Sequence, residues 1–178
     1  MLNAMSYLAA DVGGTKTLLA VFCAKDGIPR AVRTARYDSA AFHGPVPMIR
    51  DFLARGSELV VRAGIGVAGP VSDGTCCATN LPWRLDEREL ADALGLERVA
   101  LVNDFVAVAL GILALGSDDL VVLQDGKIDP RGPMAILGAG TGLGEALLLR
   151  TDLGGKVKVL PTEGGHTAFA PSNEMEIR

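Results

Sequence analysis

Ala9-Ala10-Asp11-Val12-Gly13-Gly14-Thr15-Lys16-Thr17, running straight into Leu18-Leu19-Ala20-Val21-Phe22, is the stretch from which the rest of the chain is read. Apolar residues on both sides of a polar, glycine-paired turn predict a β-hairpin, with glycine supplying the positive φ that tight hairpin loops use. A loop between two strands is neither a Walker loop nor a dinucleotide fingerprint, because both of those lead into a helix. Neither spacing occurs in the glycine turns: no Gly-x4-Gly-Lys-Ser/Thr is present, and Gly138, Gly140, Gly142 and Gly144 alternate without forming Gly-x-Gly-x-x-Gly. What remains is a turn with exposed N–H groups, the Thr15 hydroxyl and one carboxylate at its base. Such a turn cradles phosphate through its amides while Asp11 holds a hydrated divalent cation. The competing reading is an ordinary hairpin turn.

A second stretch tips the balance. Met134-Ala135-Ile136-Leu137-Gly138-Ala139-Gly140-Thr141-Gly142-Leu143-Gly144-Glu145-Ala146-Leu147-Leu148-Leu149 repeats the plan of apolar strand, glycine-and-threonine turn and apolar strand. Two such turns suggest a duplicated architecture in which two hairpins grip one polyphosphate from opposite sides. The actin-like ATPase (ribonuclease H-like) fold, an α/β architecture, is built that way.

Composition fits an α/β protein and narrows its partners. Of 178 residues 49% are hydrophobic, and the 22 glycines fall between apolar runs rather than in one tract. The net charge of −4, without basic clusters, argues against nucleic acid, where phosphate neutralisation dominates affinity. Three cysteines, Cys23 and the adjacent Cys76 and Cys77, have neither disulfide-framework nor zinc-site spacing. No apolar run reaches the length that spans a bilayer, and Met1 to Tyr7 is too short for a signal sequence, so a cytoplasmic location is expected.

Between the two glycine turns the chain alternates strand and helix signals. A third strand is expected over Arg30 to Tyr37, a loop over Asp38 to Pro47, and a helix over Met48 to Leu53. Leu59 to Ala68 reads as a buried strand ending at a Gly69-Pro70 corner that could line a site, since ligands in α/β folds collect at the carboxyl ends of strands. A short strand follows over Thr75 to Thr79. Asp86 as N-cap, Glu89 three residues on, and Leu85 opposite Leu90 announce a helix that ends near Gly95. Arg98 to Val102, apolar after its first residue, predicts a central strand covered on both faces.

That strand stops at Asn103-Asp104, ahead of a helix expected from Phe105 to Leu115. Asn and Asp lead the N-capping preferences, so the pair has a purely structural reading. The functional one is a carboxylate fixed at the end of a strand, able to take a proton from a substrate hydroxyl. The polar break Ser117-Asp118-Asp119 marks the expected boundary between domains 1–116 and 117–178, with strands expected over Leu120 to Leu123 and Lys156 to Leu160. Pro161-Thr162-Glu163-Gly164-Gly165-His166 then sets a Glu and a His around two glycines, which suits hydrogen bonding to a polyhydroxyl ligand.

With Asp11-Val-Gly-Gly-Thr15, Leu101-Val-Asn-Asp-Phe105, Gly138-Ala-Gly-Thr-Gly-Leu-Gly144 and Pro161-Thr-Glu-Gly-Gly-His166 in that order, the sequence resembles the bacterial glucokinases from about residue 8 onward. The resemblance implies a small N-terminal α/β domain plus the beginning of a larger one, transferring phosphate from ATP to the 6-hydroxyl of glucose with Mg2+. It implies Asp104 as the catalytic base, and Asn103, Asp104, Glu163 and His166 as sugar contacts. Nucleotide would be held by Ala10, Asp11, Val12, Gly13, Gly14 and Thr15 in the first loop and Gly140, Thr141 and Gly142 in the second, with Asp11 facing the metal. A related kinase and repressor family carries a cysteine-rich zinc cluster after the Gly-His, whereas residues 167–178 here contain no cysteine.

Members of the family continue well past residue 178. The resemblance therefore implies a shortened chain, weak or inactive by itself, with exposed apolar surface favouring a homodimer. Two other readings stay open: a non-catalytic sugar- or nucleotide-binding module, and a kinase of another hexose such as mannose, fructose or N-acetylmannosamine.

Overall fold

A computed structural model describes residues 5–25, 28–140, 142–151, 157–168, 170–171 and 173–177. The Asp11 stretch folds back on itself as expected. Strand β1 (Ser6–Val12) pairs antiparallel with β2 (Lys16–Lys25) across the loop Gly13 to Thr15. Period-two alternation buries Leu8, Ala10 and Val12 of β1 against one side of the sheet, with Leu19 and Val21 beside them. The glycines are needed for a different reason than the sequence suggests, because neither takes a positive φ. A Cβ on Gly13 would lie 2.9 Å from the Lys16 carbonyl oxygen, and one on Gly14 would lie 2.5 Å from Cβ of Asn80. Close approach selects them.

Strand β3 (Ile28–Asp38) extends the meander antiparallel to β2. The polar stretch beyond it is not all loop. Ser39–Ala41 make a 3-10 turn, and helix α1 begins at Pro45 and runs Pro45–Ala54, earlier than the expected start at Met48. Pro45 and Pro47 fall in the first turn, where an N–H has no intrahelical acceptor and proline is tolerated. Strand β4 (Val60–Val67) runs parallel to β1.

Short strands β5 (Val71–Ser72), β6 (Thr75–Cys77) and β7 (Arg84–Asp86) form a separate antiparallel sheet. Its first turn, Asp73-Gly74, has φ of 49° and 73°, the two consecutive positive values of a tight hairpin. Helix α2 (Glu87–Leu94) follows with the expected caps. Asp86 Oδ1 accepts from the amides of Arg88 (2.9 Å) and Glu89 (3.1 Å), and Gly95 closes the helix in the left-handed region.

Strand β8 (Arg98–Asn103) pairs parallel with β4, giving the order β3-β2-β1-β4-β8. It is an edge strand in this sheet, which corrects the expectation of a central one. Its apolar run reflects cover on its faces: Val99 and Leu101 are buried in the core that α1 and α2 complete. The open edge is blunted by Glu87, whose Oε1 accepts from the Leu101 amide at 2.7 Å. Helix α3 (Asp104–Ile112) then begins directly at the end of β8.

The chain divides into two compact units, Met1–Ala107 and Val108–Arg178. The second unit carries one three-stranded antiparallel sheet, β9 (Met134–Ala139), β10 (Leu143–Arg150) and β11 (Val157–Thr162), in the order β11-β10-β9. The second glycine hairpin thus forms, although Thr141 lies outside the described residues, as does Lys156 at the head of the strand expected there. The expected strand over Leu120 to Leu123 does not form: those residues lie outside any strand, with Leu123 94% exposed. Four apolar residues without a paired neighbour have no ladder to join.

Candidate active site

The first loop is shaped to present donors. Gly13 N–H closes the hairpin onto the Lys16 carbonyl at 3.0 Å, while among the described residues the Gly14 and Thr15 amides have no acceptor. Two free N–H groups in a glycine turn are donors available to an anion. Ala10 and Val12 are buried beneath it, so their side chains serve the core and only their backbone can face a ligand. A cavity of about 350 Å³ opens beside the loop, lined by Thr15, Lys16, Arg36, Tyr37 and Asp38.

Asp11 and Asp104 come together on one face of the five-stranded sheet. Asp11 pairs across to Gly66 of β4, and a Cβ on Gly66 would lie 3.2 Å from Cβ of Ala107 and 3.9 Å from Cα of Asp104. Glycine at 66 therefore lets the first turn of α3 settle onto the sheet next to Asp11. Burial pushes the Asp11 carboxyl above its ordinary value, the negative charge of Asp104 pushes the same way, and Lys16 pulls it back. Both carboxylates remain at least partly open to solvent. Among the described residues no group of three or more His, Cys, Asp or Glu could hold a metal ion.

A raised carboxyl pKa has a definite consequence for stability. The folded state holds the Asp11 proton more tightly than the unfolded chain, so stability is greatest below the ordinary value of 3.8 and falls as pH rises through the folded value. Asp11→Asn should therefore raise the melting temperature at pH 7, and the difference should vanish in acid. Added Mg2+ should stabilise the parent and leave this variant unmoved, as scanning calorimetry across pH would register.

Asn103 performs the capping role that its position allows. Its Oδ1 accepts from the amides of Phe105 (3.0 Å) and Val106 (3.3 Å), and its Nδ2 donates to the Gly69 carbonyl at 3.2 Å. The Gly69-Pro70 corner is thereby tied to the start of α3. At φ 144°, with a Cβ that would meet the Cys77 carbonyl at 3.0 Å, position 69 accepts only glycine without strain. Asp104 accepts from the adjacent Phe105 amide at 2.9 Å, which sets its carboxylate at the mouth of the helix.

The second unit holds its own part of the predicted set. Gly140 N–H donates to the Gly142 carbonyl at 2.8 Å, closing the second glycine turn. Glu163 and His166 bracket a 3-10 turn, Gly164–His166, with Oε2 and Nε2 3.9 Å apart and both side chains largely exposed. That turn packs tightly on β10: a Cβ on Gly165 would collide with the Leu143 carbonyl, and one on Gly164 with the Glu145 carboxylate. Thr162 Oγ1 donates to Glu145 Oε2 at 3.0 Å and accepts from Gly164 N at 3.1 Å.

Sequence reasoning missed Asn80, Gly66 and Glu145. A glycine inside a buried strand signals close backbone approach, so Gly66 could have been found. Asn80 and Glu145 act through contacts distant in sequence and leave no local mark.

The fold agrees with what the chain is similar to. It matches the family model described as Glucokinase over residues 8–178. The chain belongs to the glucokinase family. A glucokinase of Synechocystis sp. is 42% identical over 183 residues, covering 97% of this chain and 51% of its own length. One of Caulobacter vibrioides is 36% identical over 171 residues, covering 96% and 51%. The crystal structure of a glucokinase from an Antarctic psychrotroph superposes with a TM-score of 0.82 at 31% identity, covering 97% of this chain and 54% of that one. A Balamuthia mandrillaris glucokinase in complex with glucose gives 0.65 at 27%, covering 98% and 52%. A ROK family glucokinase of Streptomyces griseus, in complex with glucose and AMPPNP, gives 0.60 at 25%, covering 86% and 46%. This glucokinase-family chain spans about half the length of the curated relatives it matches.

Proposed function

We propose that this chain carries the general base and the phosphate-holding loops of an ATP-dependent kinase acting on the 6-hydroxyl of glucose, in the cytoplasm and with Mg2+. One observation carries the reading: the Asp104 carboxylate stands at the end of β8 beside Asp11, at the base of a loop with two unclaimed amides. The residues fit a magnesium nucleotide. The Gly14 and Thr15 amides are free to donate to phosphate oxygens, and the crowding of Asp11 by Asp104 is the kind a divalent cation relieves. When bound, ATP supplies the phosphoryl group and Mg2+ neutralises its charge. Asp104 then accepts the proton of the sugar 6-hydroxyl, turning it into a nucleophile. The Gly14 and Thr15 amides hold phosphate oxygens, Gly140, Thr141 and Gly142 serve as the second loop, and Asp11 orients the hydrated cation. Asn103, Glu163 and His166 are assigned to the sugar hydroxyls.

Calorimetry of the chain with glucose, mannose, fructose and N-acetylmannosamine, with and without Mg-AMPPNP, tests the assignment. Glucose should bind more tightly than the other hexoses, and Mg-AMPPNP should bind with a Mg2+ requirement. Absence of heat for every hexose and for the nucleotide would overturn it.

A further inference from the structure

Beneath the first glycine loop lies a polar relay with no part in the motif. Thr17 and Ser39 are 1% and 0% exposed, the second sitting in the 3-10 turn after β3. Ser39 Oγ donates to the Gly13 carbonyl at 2.8 Å. Its one proton is spent there, so the Thr17 hydroxyl is the donor in the 3.0 Å contact between the two side chains. The Ser39 amide also donates to the Thr15 carbonyl at 3.1 Å. One residue thus holds two carbonyls of the loop, and a second buried hydroxyl holds that residue.

The orientation this imposes follows from peptide geometry. In a planar trans peptide the C=O and the N–H point in opposite directions. The Gly13 carbonyl and the Gly14 N–H belong to the same peptide. Drawing that oxygen inward to Ser39 turns the Gly14 N–H outward, where it finds no acceptor among the described residues.

We infer that Ser39, braced by Thr17, is a positioning residue of the phosphate loop, aiming the Gly14 amide at an oxygen of a bound polyphosphate anion. It touches no ligand itself. This rests on the proposed function in one respect, that the loop takes a polyphosphate; the tethering of the loop does not.

The two parts are separated by reading each variant twice. Ser39→Ala removes the tether, Thr17→Val removes the brace at nearly constant volume, and Thr17→Ser keeps it. Without ligand, amide exchange at Gly13, whose N–H closes the hairpin, should quicken about tenfold in Ser39→Ala, the effect of about one buried hydrogen bond lost. Affinity for Mg-AMPPNP should weaken by about tenfold in Ser39→Ala and somewhat less in Thr17→Val. Thr17→Ser should match the parent in both readouts, and glucose affinity should stay within about twofold in all three, because the loop carries no sugar contact.

If Ser39→Ala and Thr17→Val melt earlier yet keep parental nucleotide affinity and loop exchange, the hydroxyls only fill the core and the inference falls. Should Ser39→Ala prove insoluble, Thr17→Val decides by the same two readouts. A parent chain that binds no Mg-AMPPNP overturns the proposed function and the ligand half of the inference together. Unchanged Gly13 exchange removes the tether independently of any nucleotide.

Discussion

Replacing Asp104 by Asn is expected to slow glucose phosphorylation by about 10²- to 10⁴-fold, the usual loss when a positioned general base is removed. Asparagine keeps the shape and still accepts from the Phe105 amide, as Asp104 does at 2.9 Å. Helix α3 should therefore form unchanged, with Asn103 still capping it through the Phe105 and Val106 amides. Glucose affinity should stay within a few fold, since an amide still hydrogen-bonds a hydroxyl. The split identifies the role: a coupled assay should show turnover collapsing while calorimetry shows sugar binding retained. Equal losses in both would make Asp104 a binding residue, and no loss in either would remove it from the chemistry.

The second large effect is steric. Gly14→Ala places a methyl 2.5 Å from Cβ of Asn80, well inside van der Waals contact, so either the loop or the Asn80 segment must move. Overpacking of this kind costs about 1–3 kcal/mol, which as lost nucleotide affinity is about 5- to 150-fold. The account further predicts compensation. Asn80→Gly removes the obstructing atom, so the double variant Gly14→Ala/Asn80→Gly should recover a large part of the Mg-AMPPNP affinity measured by calorimetry. If the double variant is as weak as Gly14→Ala alone, the contact with Asn80 is not what selects glycine at 14.

Features written in neighbouring residues were legible in the sequence. Helix α2 was readable at both ends because the Asp86 cap and the Gly95 stop are chemical requirements of a helix terminus, independent of what packs around it. The two glycine hairpins and the Asn103-Asp104 junction were legible on the same grounds. Lateral position in the sheet was not. The run from Val99 to Val102 records that both faces of β8 carry apolar residues, but the strand's outer neighbour is a non-local fact, and Glu87 stands there in place of another strand. The expected strand over Leu120 to Leu123 failed for a related reason, since apolarity is necessary for a buried strand and pairing is a separate condition.

Within the candidate site, the sequence nominates residues but not the contacts that support them. Asp11 and Asp104 could each be nominated from the sequence, whereas their proximity depends on Gly66 admitting the first turn of α3. Ser39 and Thr17 look like ordinary loop and strand hydroxyls until tertiary contact buries them. The second unit follows the same pattern: Glu163 and His166 could be nominated from the sequence, and the Glu145 to Thr162 bond beneath their turn could not.

The nearness of Asp104 to Asp11 is what the catalytic reading stands on, and it can be measured without any ligand. Carboxyl carbon NMR of Asp11, titrated in the parent and in Asp104→Asn, reports it directly. With the neighbouring charge gone and burial unchanged, the Asp11 pKa should fall toward its ordinary value yet remain above it, because burial is the larger cause. An Asp11 titration identical in the two proteins would mean that the carboxylates do not share a face, and would contradict the account.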